Sequence, residues 1–264
     1  MVAADPLGAI AALPEVAESA TAARAAIDPL LLDRRLRTQG SALAAEAALL
    51  NAHASSTIEG AEVPLDELRA RASHSPVLRV ASGALDVQLG LRGMRGLPAR
   101  QVWAAIAVIS GAEYLDKEQR GRPRRAGERL FDPLHLGFDG VADDLDVRLS
   151  ALAELVAAPT KAPALVVSAL AHAELLVLQP FGAGNGVVAR AYAHHVLAER
   201  GLDPDFFAMT DVGLLSLGRA AYVRAVRGYR DGGADGVATW CVHVASAFER
   251  GAHLARQTLD RLSA

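Results

Sequence analysis

The sequence predicts an all-α fold, and three observations carry that prediction. The 264 residues are 52% hydrophobic, 22% charged and only 5% aromatic, a balance that suits a globular chain able to bury a substantial core. Alanine dominates and alternating runs of β-branched residues are scarce, which favours helices over sheets. Apolar residues recur at helical spacing in stretch after stretch, with prolines and glycines as punctuation. The length suits one large domain or one domain with an appendage. We expect a helical arm over residues 1–40 and a helical domain over 41–264.

The elements follow in order. Pro6, Pro14 and Pro29 divide the first forty residues into short helices broken by turns, with helix expected at 19–26 and 30–38. Residues 40–58 form a stronger helix: Leu43, Ala47, Leu50 and Ala54 share a face, and Gly60 is a natural stop. Pro64 opens a short helix through Leu65, Leu68 and Ala72, which Ser75-Pro76 ends. Residues 77–91 are apolar and helical, with Gly90, Gly93 and Gly96 marking the end. A further helix runs from Pro98 through Val102, Ile106 and Ile109 to about Leu115. Residues 118–140 are the least regular; the basic run Gln119-Arg120-Gly121-Arg122-Pro123-Arg124-Arg125 suits a solvated loop. Residues 143–156 place Leu145, Leu149, Leu152 and Val156 on one face. Residues 164–178 are apolar nearly all round, which marks a central, buried helix. The tail holds a helix over 214–226, a Gly/Asp-rich turn over 228–236 and a long final helix over 237–262.

The most informative stretch lies between two of these helices: Gln179-Pro180-Phe181-Gly182-Ala183-Gly184-Asn185-Gly186-Val187-Val188-Ala189-Arg190. It is too rich in glycine to stay helical. A tight glycine turn there would point N–H groups outward at the start of the next helix. Unpaired helix N-terminal amides and the helix dipole make such a turn a ready anion site. A bare Gly-Asn-Gly also fits an ordinary helix–helix turn. Upstream, Ser55 and Glu59 are four apart and share a helix face. A carboxylate at that helix end opposes the dipole unless a cation answers it; Arg190 is the candidate cation.

With its neighbours, the turn resembles the signature loop of the Fic (Fido) family, His-Pro-Phe-x-(Asp/Glu)-Gly-Asn-Gly-Arg-x-x-Arg. Pro180, Phe181, Gly184, Asn185, Gly186 and Arg190 stand where that motif has them. Gln179 replaces the histidine, Ala183 the acidic residue and Val187 the first arginine. Ser55-Ser56-Thr57-Ile58-Glu59-Gly60 is similar to the family's inhibitory pattern, (Ser/Thr)-x-x-x-Glu-(Gly/Asn), and lies well upstream of the loop as in members with an N-terminal inhibitory helix. Residues 222–240 look like the family's closing helices.

The resemblance implies a Fic-type helical domain with an inhibitory-type helix at 41–60 and the signature loop at 179–190. In that family the histidine is a general base that takes a proton from a target hydroxyl, which then attacks the α-phosphate of ATP and acquires AMP. The acidic residue holds Mg²⁺, the glycine loop cradles the phosphates, and the arginines neutralise charge. The inhibitory glutamate pairs with the second arginine. By that correspondence Gly184, Asn185, Gly186 and Arg190 would bind phosphate or nucleotide, and Ser55, Glu59 and Gly60 would inhibit. The family also places a β-hairpin flap before the loop to hold a target polypeptide; no hairpin pattern appears over 119–140.

The departures have chemical consequences. Gln179 carries no group that titrates near neutral pH, and a general base typically contributes about 10²–10⁴ in rate. Ala183 offers no hard oxygen for Mg²⁺, and Val187 removes a charge clamp. Phosphoryl transfer rests on positioning and charge neutralisation. The expectation is therefore a Fic-like pseudoenzyme with little AMP transfer that keeps a phosphate or nucleotide loop, with ATP the candidate ligand, Mg²⁺ doubtful and a protein partner possible. The alternative is an active nucleotidyl or other group transferase using a non-standard base, such as His172, His194 or a water.

Composition narrows the remaining classes. Net charge is −3, which gives no general attraction to nucleic acid or anionic membrane. All but Lys117 and Lys161 of the 27 basic residues are arginines. Cys241 is the only cysteine, sits in an apolar helical run and suits packing. A cytoplasmic location is expected, with no transmembrane helix and no signal peptide. His194 and His195 without a carboxylate at ligand spacing do not make a metal site.

Overall fold

A computed structural model describes residues 5–138 and 144–264. Twelve α-helices and one 3₁₀ turn appear among the described residues, and no strand. The helices are α1 (Pro6–Ala11), α2 (Pro14–Leu31), α3 (Leu36–Ile58), α4 (Leu65–Ala70), α5 (Pro76–Gly90), α6 (Ala99–Ser110), α7 (Leu145–Ala157), α8 (Ala164–Leu178), α9 (Asn185–Glu199), α10 (Thr210–Leu217), α11 (Arg219–Asp231) and α12 (Gly233–Leu262); the 3₁₀ turn is Leu91–Met94. The chain is all-α, as composition and periodicity predict.

α8 and α9 pack as an antiparallel pair at the centre. Their buried faces run almost all the way round, from Leu165 to Leu178 and from Asn185 to Ala198. α12 spans one side and packs against α2, α10 and α11; α3 packs against α5 and α10, and α6 against α9. Buried side chains of α2, including Val16, Ala23, Ile27 and Leu30, join the same core as those of α8 and α9.

Several expected boundaries move. Pro29 does not break α2, which runs through it to Leu31. It sits in the last turn, and the carbonyl that loses its hydrogen bond, on Ala25, belongs to an exposed residue where water can replace the donor. α3 starts at Leu36, inside the segment assigned to the arm. α6 ends at Ser110, five residues short of Leu115. The helix expected over 214–226 is two helices, divided at Gly218 with φ 97°. The turn expected over 228–236 shrinks to the single residue Gly232. A Cβ on Gly232 would lie 2.6 Å from the Gly228 carbonyl oxygen, and one on Gly236 would lie 2.8 Å from its carbon. Those glycines let α11 and α12 touch backbone to backbone; they are spacing devices, not loop residues. Asp143, the expected start of α7, lies outside the described residues, as do residues 139–140 of the irregular segment.

Candidate functional site

The turn between α8 and α9 is shaped mainly by backbone. Gln179 caps α8 in the left-handed conformation, φ 41°. Gly184 precedes α9 at φ 77°. A Cβ there would lie 2.9 Å from the Ser110 Cβ and 3.1 Å from its carbonyl carbon, so both the conformation and the approach of α6 require glycine. Asn185 closes the turn on itself: its Oδ1 accepts from the Phe181 N–H at 2.9 Å, and its Nδ2 donates to the Phe181 carbonyl at 2.7 Å. Its side chain holds the shape of the turn and presents nothing outward.

Gly186 lies in the first turn of α9, where backbone N–H groups lack intrahelical acceptors. A Cβ on it would overlap Glu59 Oε1 and lie 2.7 Å from Glu59 Cδ. The Glu59 carboxylate thus rests against the positive end of α9, where an anion is favoured. α3 delivers it there: Glu59 is the helix's C-terminal cap, and Gly60 follows at φ 85° to turn the chain away.

Arg190 is fully buried, and every hydrogen bond it makes is donated to groups around it. Its Nη2 lies 2.8 Å from Glu59 Oε1 and 3.2 Å from the Ser55 carbonyl; its Nε donates to Ser55 Oγ at 2.8 Å. Burial works against its charge, but Glu59, Tyr222 and Asp211 outweigh that penalty and hold the guanidinium protonated.

The Tyr222 hydroxyl lies 3.4 Å from Arg190 Nη1 and 2.7 Å from His172 Nε2. Arginine has only donors, so the hydroxyl accepts from Arg190 and donates its own proton to His172. In that arrangement Nε2 of His172 is the acceptor. Burial, followed by the charge of Arg190, pushes its pKa well below the ordinary value. His194 is bound to Asp211 at 3.0 Å. Burial opposes its protonation, but the Asp211 carboxylate prevails and the pKa rises. His172 is thus joined to Arg190 through the Tyr222 hydroxyl, and His194 to Asp211.

Gln179, Ala183 and Val187 all lie buried at the turn. Ala183 is fully buried and Val187 is buried. Gln179 is buried, and its Oε1 has no hydrogen-bond partner among the described residues. Their surroundings do not fit Mg²⁺. Among the described residues, the two carboxylates bordering the site are Glu59 and Asp132; the first is paired with Arg190 and the second accepts from the Gly137 N–H at 3.2 Å. Among the described residues no group of three or more His, Cys, Asp or Glu side chains could hold a metal.

The basic run expected as a solvated loop is instead a strap over the turn. Arg124 is buried; its N–H donates to the Pro180 carbonyl at 2.7 Å, and its Nε donates to the Gln179 carbonyl at 2.7 Å. Phe131 N–H reaches the Gly182 carbonyl at 2.8 Å. Arg122 pairs with Glu128 at 2.6 Å, and Arg120 donates to the carbonyls of Leu115 and Ala112. The glycine turn's carbonyls hold Arg124, while the carbonyls of Leu115 and Ala112 hold Arg120 and the Glu128 carboxylate holds Arg122; charge counting along the chain reveals none of these partners. With Phe131, Leu134 and Leu136 over Glu59 and Gly186, the remaining cavity is about 10 Å³, room for about one water.

Sequence reasoning overlooked Tyr222 as a partner of Arg190, Arg124 as a staple and Ser110 as the wall behind Gly184. A tyrosine on the apolar face of an arginine-rich helix was the one available signal. Elsewhere, Cys241 is buried and its thiol is pushed up to about 12 by burial, consistent with packing. Among the described residues no helix is long and apolar enough to cross a membrane.

No protein-family model matches the sequence, and no curated protein matches it. Solved structures do. A Fic family protein from Desulfovibrio desulfuricans superposes with a TM-score of 0.71 at 17% identity, over 93% of this chain and 75% of that one. Fic-1 from C. elegans gives 0.68 at 14% identity, over 95% of this chain and 73% of that one. A Fic domain containing signaling protein from Bacteroides thetaiotaomicron gives 0.60 at 12% identity, over 94% and 98%. At such identities the likeness speaks for architecture, and the architecture of this chain is the Fic fold.

Proposed function

We propose that this chain is a Fic-fold pseudoenzyme: a protein that keeps a phosphate-binding turn, has lost the side chains for AMP transfer, and holds the turn shut with its own Glu59. One observation supports this above the others. The Glu59 carboxylate lies on the N-terminal turn of α9 and pairs with Arg190, while Gln179, Ala183 and Val187 offer no base, metal ligand or second cation. A carboxylate and a phosphate oxygen compete for the same donors.

Removing Glu59 should therefore open the turn to phosphate without creating a catalyst. The test compares the native protein with Glu59→Gly by titration calorimetry with ATP, each with and without Mg²⁺, alongside incubation with labelled ATP. The reading expects weak or no binding to the native protein, tighter binding to the variant, little effect of Mg²⁺, and no label on any protein. Rapid labelling of itself or of another protein by either form would overturn it. So would binding that requires Mg²⁺.

A further inference from the structure

A second cavity lies far from the turn along α3, between the N-terminal half of that helix, the end of α5 and residues 205–207. Its volume is about 850 Å³, within the range of roughly 300–1,000 Å³ typical of small-molecule sites. The floor is apolar: Leu31, Leu36, Ala44, Ala48, Phe206 and Phe207.

The aromatic wall is built in advance. Phe206 has φ 59°, a conformation that bulky side chains rarely adopt. Its surroundings hold it there. The buried Asp203 carboxylate accepts from the N–H groups of Phe207 and Ala208, both at 2.9 Å. Asn51 Nδ2 donates to the Ala208 carbonyl at 3.0 Å, and Asn51 Oδ1 accepts from Asp211 N–H at 3.0 Å. Strain that its neighbours over-determine is a mark of ligand clamps and other working sites.

The charges at the mouth are unbalanced. Among the described residues, five charged ones border the cavity: Asp33, Arg34, Arg37, Arg92 and Asp205. Asp33 is gripped by Arg35 at 2.7 Å, and Asp205 faces Arg92 at 3.2 Å. The side chains of Arg34 and Arg37 have no hydrogen-bond or ion-pair partner among the described residues. Two unanswered guanidinium groups therefore stand over an apolar, aromatic floor.

We infer that this groove binds a small amphipathic anion, a carboxylate with an unbranched apolar body, its head at Arg34 and Arg37 and its body along Phe206, Phe207 and α3. Arginine suits a carboxylate because its fork matches both oxygens. Laurate below its micellar concentration is the probe, with 1-dodecanol as the uncharged control. Calorimetry on the full chain should give a micromolar Kd for laurate and much weaker binding of the alcohol. Arg34→Glu with Arg37→Glu should weaken laurate by about tenfold or more, and most strongly at low salt.

Ala45 borders the groove and is exposed, so Ala45→Trp should obstruct it while leaving the melting temperature near that of the native protein. That variant should weaken binding. Equal affinity for laurate and the alcohol would overturn the proposal, as would undiminished binding by Ala45→Trp or no binding at all. A dimer in sedimentation that Ala45→Trp dissociates would also overturn it, by assigning the groove to a second copy of the chain.

Discussion

Replacing Glu59 by glutamine tests the centre of the structure, because it removes one charge and almost no volume. Arg190 is fully buried and the Glu59 side chain is only 10% exposed. At their separation of 2.8 Å, Coulomb's law with an effective dielectric constant of about 20 gives about 6 kcal/mol of attraction. Desolvation of both groups offsets much of this in the native protein, but the variant keeps the desolvated guanidinium without its carboxylate. Breaking a buried pair from one side costs about 3–5 kcal/mol. The lower end applies here, because Ser55 Oγ, the Ser55 carbonyl and Tyr222 still accept from Arg190. These are neutral groups and do not replace the charge. A loss of about 3 kcal/mol lowers Tm by roughly 6–12 °C in a chain of this size. Thermal unfolding followed by circular dichroism measures it, and added ATP should recover part of the loss by supplying an anion to Arg190. A melting temperature within about 2 °C of native, less than 1 kcal/mol, would show that the pair is not the keystone described here.

Other perturbations follow from the same geometry. Gly184→Ala forces a side chain to φ 77° and against the Ser110 backbone, and should cost more than about 1–3 kcal/mol in urea unfolding. Arg124→Ala removes the staple on the Gln179 carbonyl and should speed proteolytic cleavage within 119–138 while leaving the helical signal intact. The pH dependence divides between two histidines. His194 is raised in the fold, so its pairing with Asp211 stabilises fully below about pH 6.5 and is lost as pH rises through the raised value. The stability gap between the native protein and His194→Gln should therefore shrink from pH 6 toward alkaline pH. His172 is lowered, so keeping it neutral costs stability as pH falls below about 6.5; His172→Gln should flatten that acid limb.

What the sequence made legible was local. α8 announces itself by being apolar all round, the glycine turn by composition, and the Ser55–Glu59 face by a spacing of four. The approach of Glu59 to Arg190 came from the resemblance to the Fic motifs; the dipole at a helix C-terminus asks for a cation but does not choose one. What escaped depended on distant partners. Gly228, Gly232 and Gly236 read as a turn because small residues at a turn and small residues at a helix crossing look alike along the chain. Arg120 and Arg124 read as solvated because the carbonyls that hold them, on residues 112, 115 and 179, are invisible to a count of side chains. Pro29 read as a break because its rule describes helix interiors, and its place in a final exposed turn emerges only from the fold.

The backbone shape of the turn does not by itself argue for a ligand. Asn185 is used twice by Phe181, Gly184 makes room for α6, and Gly186 makes room for Glu59. Each residue of Gly-Asn-Gly therefore has a packing reason to be what it is, and a chain that bound no phosphate would need the same three. The residue that separates the two explanations is Arg190. Packing alone would be served better by an apolar side chain, since exchanging a buried ion pair for well-packed hydrophobic residues is often neutral or stabilising by about 1–4 kcal/mol. Glu59→Leu with Arg190→Met should thus give a protein at least as stable as the native one if the fold does not need the pair. If that double variant is stable and has also lost the ATP binding that Glu59→Gly gains, the pair is present for the anion. If Glu59→Gly binds no ATP in the first place, the turn is architecture and the phosphate reading fails.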